Sequence, residues 1–547
     1  MRFHRFLSHS SPATLRIRTS GVGGVFLLIL AASARADTGD NLHVAMRSRP
    51  ADASGEMVLI RETPWQPAKT AIIVCDIWDS HHCLNAVRRV QEVAPRMNRV
   101  LEKARGMGVL IIHAPSSCMT PYKDHPARKR AQRAPKAANL PADIGQWCKS
   151  IPAEDKAVYP LDQSDGGCDS DPEEQKAFTA RLKADGRNPG APWLAQIDVL
   201  KIHDQDAISD SGVEIWNLLE ARGIKNVILV GVHTNMCVLG RPFGLRQLAK
   251  NGKNVVLMRD MTDTMYNPAR WPYVSHFRGT DLIVEHIERH VCPTITSDQV
   301  IGGEPFKFKG DRPKRAVVAI AEKEYDTKTT LPPLAKKLFE KELGFETIII
   351  QGSPEKHTIP GLADALAKAD VFILSMRRVA IPEKDLQAVK AYLDTGKPLI
   401  AIRTSSHAFD ARGQHPAGRV EWQKFDPEVL GGNYVGHHGA GPKTTAQIAP
   451  GAEKHPILAG VHTPFTSEGS LYMTQPLAKS ATPLLMGSIP GKKAEPLAWT
   501  NTYKKARVFY TSLGHRSDFD NPQFVQLMSN AVRWAVNLPT GPRAKSD

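Results

Sequence analysis

Two doubly wound α/β domains, each a parallel sheet between two helical layers, are predicted for this chain. Three observations predict them. Short continuous apolar runs bounded by turn residues alternate with amphipathic stretches of helical period. The alternation occurs twice, from Thr70 to about residue 300 and again from Arg315. Between the two lies Gly302–Pro313, rich in Gly, Pro and Lys and without periodicity, which reads as a linker. The halves also differ in composition: Cys75, Cys83, Cys118, Cys148, Cys168, Cys237 and Cys292 account for all seven cysteines, so none follows residue 292.

In the first half, strand Ala71–Cys75 precedes a helix carrying Val87, Val90, Val93, Met97, Val100 and Leu101 on one face. Strand Val109–His113 follows. Residues 114–192, rich in Pro, Asp and Lys, are too long for a plain connection and read as an elaborated loop or lid. Strand Ile197–Ile202, a helix near Val213–Ala221, strand Asn226–Gly231, a helix over Val238–Lys250 and strand Asn254–Met258 complete the unit. The second half repeats the alternation. Its strands are Ala316–Ala321, Glu346–Ile350, Val371–Ser375, Pro398–Ile402 and a last one near Arg507–His515. Helices fall near Leu331–Leu343, Ile359–Ala369, Glu383–Asp394 and Pro522–Val536. Sites in such sheets lie beyond the carboxyl ends of the strands. Asp76, His113 and Cys237 all stand there.

The N-terminus is a separate object. Arg2, Arg5, Arg16 and Arg18 precede the apolar stretch Val22–Ala32 and then Ala34-Arg35-Ala36, the pattern of a cleavable secretory signal over residues 1–36. That leader implies a periplasmic or secreted protein. Its apolar core is too short to span a bilayer comfortably, and no other segment qualifies, so no stable membrane span is expected. The predicted organisation is a signal peptide (1–36), an N-terminal extension (37–67), a first domain (68–301), the linker (302–313) and a second domain (314–540). Part of the net charge of +15 is leader arginine. The densest remaining cluster, Lys123–Lys136, lacks interleaved aromatics and matches no nucleic-acid motif. No nucleic-acid partner is therefore expected, and a homo-oligomer is left open. An odd number of cysteines in an exported chain leaves at least one free thiol.

Cys237 lies just after the apolar strand, in Gly231-Val232-His233-Thr234-Asn235-Met236-Cys237-Val238. A thiol in the first turn of a helix feels the positive end of the helix dipole, which favours thiolate. Backbone N–H groups of the same turn are available to an oxyanion. A buried structural cysteine is the alternative reading.

Three elements together carry a resemblance. They are Ile72-Ile73-Val74-Cys75-Asp76 with Ile77-Trp78-Asp79, Val199-Leu200-Lys201 with Asp206-Ala207-Ile208, and the Gly231–Val238 stretch. Residues 68–300 resemble the isochorismatase-like cysteine hydrolases, which include nicotinamidases and N-carbamoyl amide hydrolases. The resemblance implies Asp76 as general base, Lys201 as its electrostatic partner and Cys237 as a nucleophile forming an acyl-enzyme. It also implies a cis peptide near Val232-His233 and an oxyanion hole from N–H groups near Met236 and Cys237. The spacing departs from the family at Lys201: the Asp206-Ala207-Ile208 element starts one residue late, with Ile in place of an aromatic residue. His203 is the nearby basic alternative. Trp78, His113 and Arg241 are candidate pocket residues. No cofactor is required by this chemistry. A divalent metal is admitted, with Asp79 and His113 as candidate ligands, although no spacing here is diagnostic.

In the second half, Lys397–Phe409, His455–Gly460 and Val508–His515 resemble the ThuA-like (trehalose-utilisation type) family, which has a class I glutamine-amidotransferase-like fold. That fold's nucleophile is a Cys at a strand-to-helix elbow, and the half has no Cys. Ser405 or Ser406 stands near the elbow. His407, His437, His438 and His515 are candidates for the carboxyl edge of the sheet, facing a metal, a sugar or another polar ligand.

Together these readings imply an exported hydrolase acting on a small amide-like or carbamoyl substrate, with a carbohydrate or small-ligand module attached. A non-catalytic binding or scaffold protein and an isochorismatase-type ether hydrolase are the alternatives.

Overall fold

The structure, a computed structural model, describes residues 15–19, 26–31, 41–50 and 57–541. Most of the expected leader, including its Ala34-Arg35-Ala36 site, lies outside the described residues. Among the described residues no helix is long and apolar enough to cross a membrane. The chain divides into two units. Residues 268–278 group with the second unit, and the later boundary falls between Asp311 and Arg312.

In the first unit, the strands Thr294–Ile295, Asn254–Asp263, Asn226–Val232, Thr70–Cys75, Leu110–Ala114 and Ala207–Ile208 lie side by side in that order, all parallel. Every residue of Thr70–Cys75, Leu110–Ala114 and Asn226–Val232 is buried. That explains why these strands read as continuous apolar runs rather than alternating ones. The helices Leu84–Gly106, Gly212–Ala221 and His276–His290 connect them. The extension predicted for residues 37–67 is part of this sheet: Leu42–Ser48 and Val58–Trp65 form an antiparallel pair on the Thr294–Ile295 edge.

Two expectations are corrected here. Ile197–Ile202 is not a strand. Leu200 N–H donates to the Ile197 carbonyl and Val199 is exposed, so the segment is a turn, and the sheet partner of Ile112–His113 is Ala207–Ile208. The helix over Val238–Lys250 is also broken. A π-type turn, Thr234–Val238, is separated from helix Leu245–Lys250 by a kink that contains Pro242 and Gly244. Proline has no N–H to continue a helical ladder.

In the second unit, Glu346–Gln351, Arg315–Ala321, Val371–Met376, Leu399–Ile402 and Ala506–Thr511 form a parallel sheet. Glu495–Tyr503, Thr482–Ser488, Thr444–Ile448 and Phe465–Ser467 extend it antiparallel. One face packs against Thr327–Ala335 and Pro522–Ala535, through Leu331, Leu334, Phe524 and Met528. The other packs against Leu362–Leu366 and Glu383–Asp394, through Leu362, Leu366, Leu386 and Val389. These are the three layers expected of a doubly wound domain.

Candidate functional site

Asp76 follows the strand Thr70–Cys75 directly and has a left-handed backbone, φ 49°. It is fully buried. Its Oδ1 accepts the Ser116 N–H at 2.8 Å and its Oδ2 accepts Arg241 Nε at 3.2 Å. The Cys237 thiol lies close enough to the Asp76 carboxylate and to the Arg241 guanidinium to interact electrostatically with both. The cysteine is 9% exposed. Carboxylate, thiol and guanidinium therefore meet at one point at the carboxyl edge of the sheet.

Local geometry explains why Arg241 is the third member. Arg241 N–H donates to the Cys237 carbonyl at 3.0 Å, so residues 237 and 241 sit on one face of one helical turn. The kink at Pro242 ends that turn immediately afterwards. The guanidinium also lies 4.8 Å from the centre of the Trp147 ring, a cation–π contact from the long 114–192 segment. Sequence reasoning gave Arg241 only a pocket role. The i, i+4 spacing from Cys237 was the signal for a closer one.

Lys201 does not reach this point. It is exposed, and its Nζ donates to the Asp198 carbonyl at 2.9 Å. Because residues 197–202 turn rather than form a strand, Lys201 falls outside the sheet. His203 is engaged elsewhere too, with Glu102 at 3.1 Å.

The peptide Val232-His233 is cis. The turn after it is braced from below. Thr234 Oγ1 donates to the Asp263 carbonyl at 2.9 Å, and Asn235 exchanges two hydrogen bonds with the Met265 backbone. The Met236 N–H donates to the His233 carbonyl at 3.0 Å within the turn.

The other candidates are also placed. Trp78 lines a cavity of about 10 Å³ with Asp76, His81, Val232 and His233. Trp193 stacks on the Trp78 ring at 4.3 Å. His113 is buried in a network, with Nδ1 2.9 Å from Gln196 and Nε2 3.2 Å from Asp206. Asp206 is held down to about 2 despite its burial, by His113 and Arg105. Asp79 pairs with Arg187 at 2.9 Å and accepts the Leu194 N–H. His113 and Asp79 thus each have protein partners. Among the described residues no group of three or more His, Cys, Asp or Glu is placed to hold a metal. Cys83 and Cys168 form a disulfide, and five cysteines are free.

Electrostatics correct one further expectation. Burial and the adjacent Asp76 push the Cys237 thiol well above its ordinary value, while Arg241 opposes them. The helix-end argument predicted thiolate near neutral pH; desolvation of a nearly buried thiol outweighs it. Burial also raises Asp76, opposed by Arg241, Cys237 and Ser116. Iodoacetamide should therefore modify Cys237 slowly at pH 7 and about tenfold faster per pH unit above it, read by peptide mass mapping. A fast, pH-independent reaction between pH 6 and 7 would contradict a protonated resting thiol.

The second unit holds a cavity of about 1020 Å³. It opens at the carboxyl edge of the sheet, where Glu322, Arg377 and Ser406 follow strand ends. His407 and His437 line it; His438 and His515 are not among its lining residues. His515 instead caps a turn, its Nδ1 accepting the Ser517 N–H at 3.3 Å. The elbow after Leu399–Ile402 is occupied by Arg403, with φ 45°. Its guanidinium lies 4.1 Å from the Tyr325 ring centre and 4.8 Å from that of Tyr472. Ser405 is tied into the sheet by the Leu374 carbonyl at 2.8 Å. Ser406 Oγ lies 3.1 Å from His407 Nδ1. Burial, with Arg378, Arg377 and Arg412 nearby, lowers His407 to about 2, whereas burial raises Asp426 to about 7.

Residues 315–535 match the family model described as ThuA, trehalose utilisation, and form a ThuA domain. No curated protein matches the chain. Among solved structures, the chain is similar to a ThuA-like protein from Bacteroides uniformis, at 18% identity over 43% of this chain and 96% of that one, with a TM-score of 0.33. It is also similar to a cysteine hydrolase from Pseudomonas syringae pv. phaseolicola, at 15% identity over 43% and 93%, with a TM-score of 0.26. A third likeness is to an isochorismatase family protein from Burkholderia thailandensis, at 13% identity over 43% and 94%, with a TM-score of 0.24.

Proposed function

We propose that the first unit is a cysteine hydrolase that cleaves a C–N amide or carbamoyl bond of a small substrate. One observation carries this reading: the Cys237 thiol, the Asp76 carboxylate and the Arg241 guanidinium converge at a strand-end turn. Asp76 takes the thiol proton as the sulfur attacks the carbonyl carbon. Arg241 stabilises the charge that develops on Asp76 and on the sulfur. The protonated Asp76 then returns the proton to the leaving nitrogen, leaving an acyl-enzyme that water hydrolyses. A resting thiol that is neutral suits this order, because the proton then moves only when a carbonyl is present.

In this assignment Arg241 takes the role expected of Lys201. Arg241→Ala should lower kcat/KM by about 10²–10³-fold, with partial recovery in Arg241→Lys. Lys201→Ala should leave kcat/KM within about twofold, since its ammonium is exposed and bonded to its own turn. Equal losses in both variants would return Lys201 to the site.

The test of the main reading is intact-protein mass spectrometry during exposure to a panel of primary amides and N-carbamoyl compounds. An acyl adduct or turnover that depends on Cys237 supports it. A second reading, a binding protein on a hydrolase-like fold, is favoured by the small cavity of about 10 Å³ beside Asp76. That reading predicts no adduct and no turnover with any member of the panel.

Two further parts belong to the proposal. The leader pattern supports export to the periplasm or beyond. The match of residues 315–535 to a trehalose-utilisation family, with the polar cavity at its strand ends, supports carbohydrate binding by the second unit.

A further inference from the structure

The cavity of the second unit is lined by a buried carboxyl that its hydrogen-bond network leaves incomplete and by a buried imidazole. His407 is 6% exposed, and its Nδ1 lies 3.1 Å from Ser406 Oγ. Asp426 is 5% exposed; its Oδ2 accepts the Tyr434 N–H at 2.7 Å, and its Oδ1 has no partner among the described residues. Both line the same cavity, and Tyr434 joins them: its backbone holds Asp426 and its ring stacks on His407 at 4.5 Å. Buried polar groups without partners are rare in folded proteins and call for an explanation.

Charge around the cavity narrows the ligand. Arg377 pairs with Glu324 at 2.7 Å, Arg378 with Asp410 at 2.8 Å, and Lys323 with Glu355. Three of the four Lys and Arg side chains that line the cavity are paired with carboxylates, Arg412 being the fourth, so little cationic charge is left to hold an anion. A neutral, hydroxyl-rich molecule fits that lining.

We propose that this cavity is a second active site, in which Asp426 and His407 transfer a proton at the carbon beside a carbonyl group of a neutral hydroxylated compound. The proposal rests on the carbohydrate reading of the second unit. The Asp426 carboxylate removes the proton from the carbon next to the carbonyl. The C–H electron pair becomes the enediol double bond, and the carbonyl oxygen gains charge. The step requires the tautomer in which Nδ1 accepts from Ser406 O–H, so that the His407 Nε2–H donates to that oxygen. Return of the proton from Asp426 to the neighbouring carbon, with the hydroxyl proton moving between the two oxygens, gives an isomer. No oxidant, reductant or other reactant is consumed. The opposed shifts of the two groups fit the roles: a carboxyl that titrates near neutrality can exchange a proton, and an imidazole that stays neutral can donate without becoming an acid.

The test uses the full chain in deuterated water with dihydroxyacetone, D-glucose and D-fructose, followed by proton NMR. Wild-type protein is expected to exchange deuterium into the carbon beside the carbonyl. Asp426→Asn and His407→Gln, each shown to be folded by its melting curve, should each lose exchange by about 10²–10⁴-fold. Saturation-transfer signals without deuterium exchange would overturn the proton-transfer proposal and leave the carbohydrate-binding reading standing. Absence of both binding and exchange would overturn both. Exchange that persists in Asp426→Asn and in His407→Gln would place the chemistry elsewhere.

Discussion

Replacing Cys237 with Ala is expected to abolish amide turnover, a loss of at least about 10⁴-fold, with the melting temperature little changed. The thiol is the atom that this reading bonds to the acyl carbon. Removing it leaves Asp76 and Arg241 paired at 3.2 Å, so the fold keeps its buried ion pair. Retention of turnover in Cys237→Ala would end the cysteine-hydrolase reading. The pH profile adds a signed test. Asp76 must be ionised to accept the thiol proton, and burial raises it above the ordinary carboxylate range. Turnover should therefore rise with pH through a value above about 4. Arg241 holds Asp76 down, so Arg241→Ala should move that limb to higher pH, and a limb moving to lower pH would contradict the pairing. Stability runs the other way. The folded state binds the Asp76 proton more tightly than the unfolded chain does. This group's contribution is full below the unfolded carboxylate value and is lost as pH rises through its raised folded value.

The second large effect is expected at Gly231. It pairs with Cys75 in the register of the two central strands and has φ 115°. A Cβ added there would lie 1.9 Å from the Cys75 carbonyl oxygen, which is backbone and cannot swing aside. Gly231→Ala should destabilise the first unit by on the order of 4 kcal/mol, a drop in its melting transition of roughly 10 °C. The substitution pushes the strand bearing Asp76 away from the strand bearing Cys237, so turnover should fall with stability. A melting curve within about 2 °C of wild type would show that the two strands can separate without penalty.

Much of this was legible in the sequence. The buried parallel strands announced themselves as continuous apolar runs, because helices cover both faces and no position need be polar. Asp76 and Cys237 were legible because one follows such a run directly and the other stands in the turn just after one, and a doubly wound sheet brings strand ends to one edge. The absence of cysteine after residue 292 is enough by itself to remove thiol chemistry from the second unit. The sequence alone therefore determined the two sheets, the strand ends that bear chemistry, and which unit can use a thiol.

Tertiary structure decided which cation joins the site and which form the thiol takes. Lys201 and Arg241 both lie near the right elements in sequence. Only the turn at residues 197–202 and the kink at Pro242 send one to solvent and the other to Asp76. The thiol's state depended on the balance between a helix end, which acts locally, and desolvation, which is set by residues far along the chain. The same holds for Asp426 and His407. One follows no strand, the other stands several residues past an elbow, and the packing of Tyr434 between them is what joins them in one cavity. Local pattern fixes where a strand ends; burial and partner choice are sums over the whole fold, and those sums set the charge of every group at the two sites.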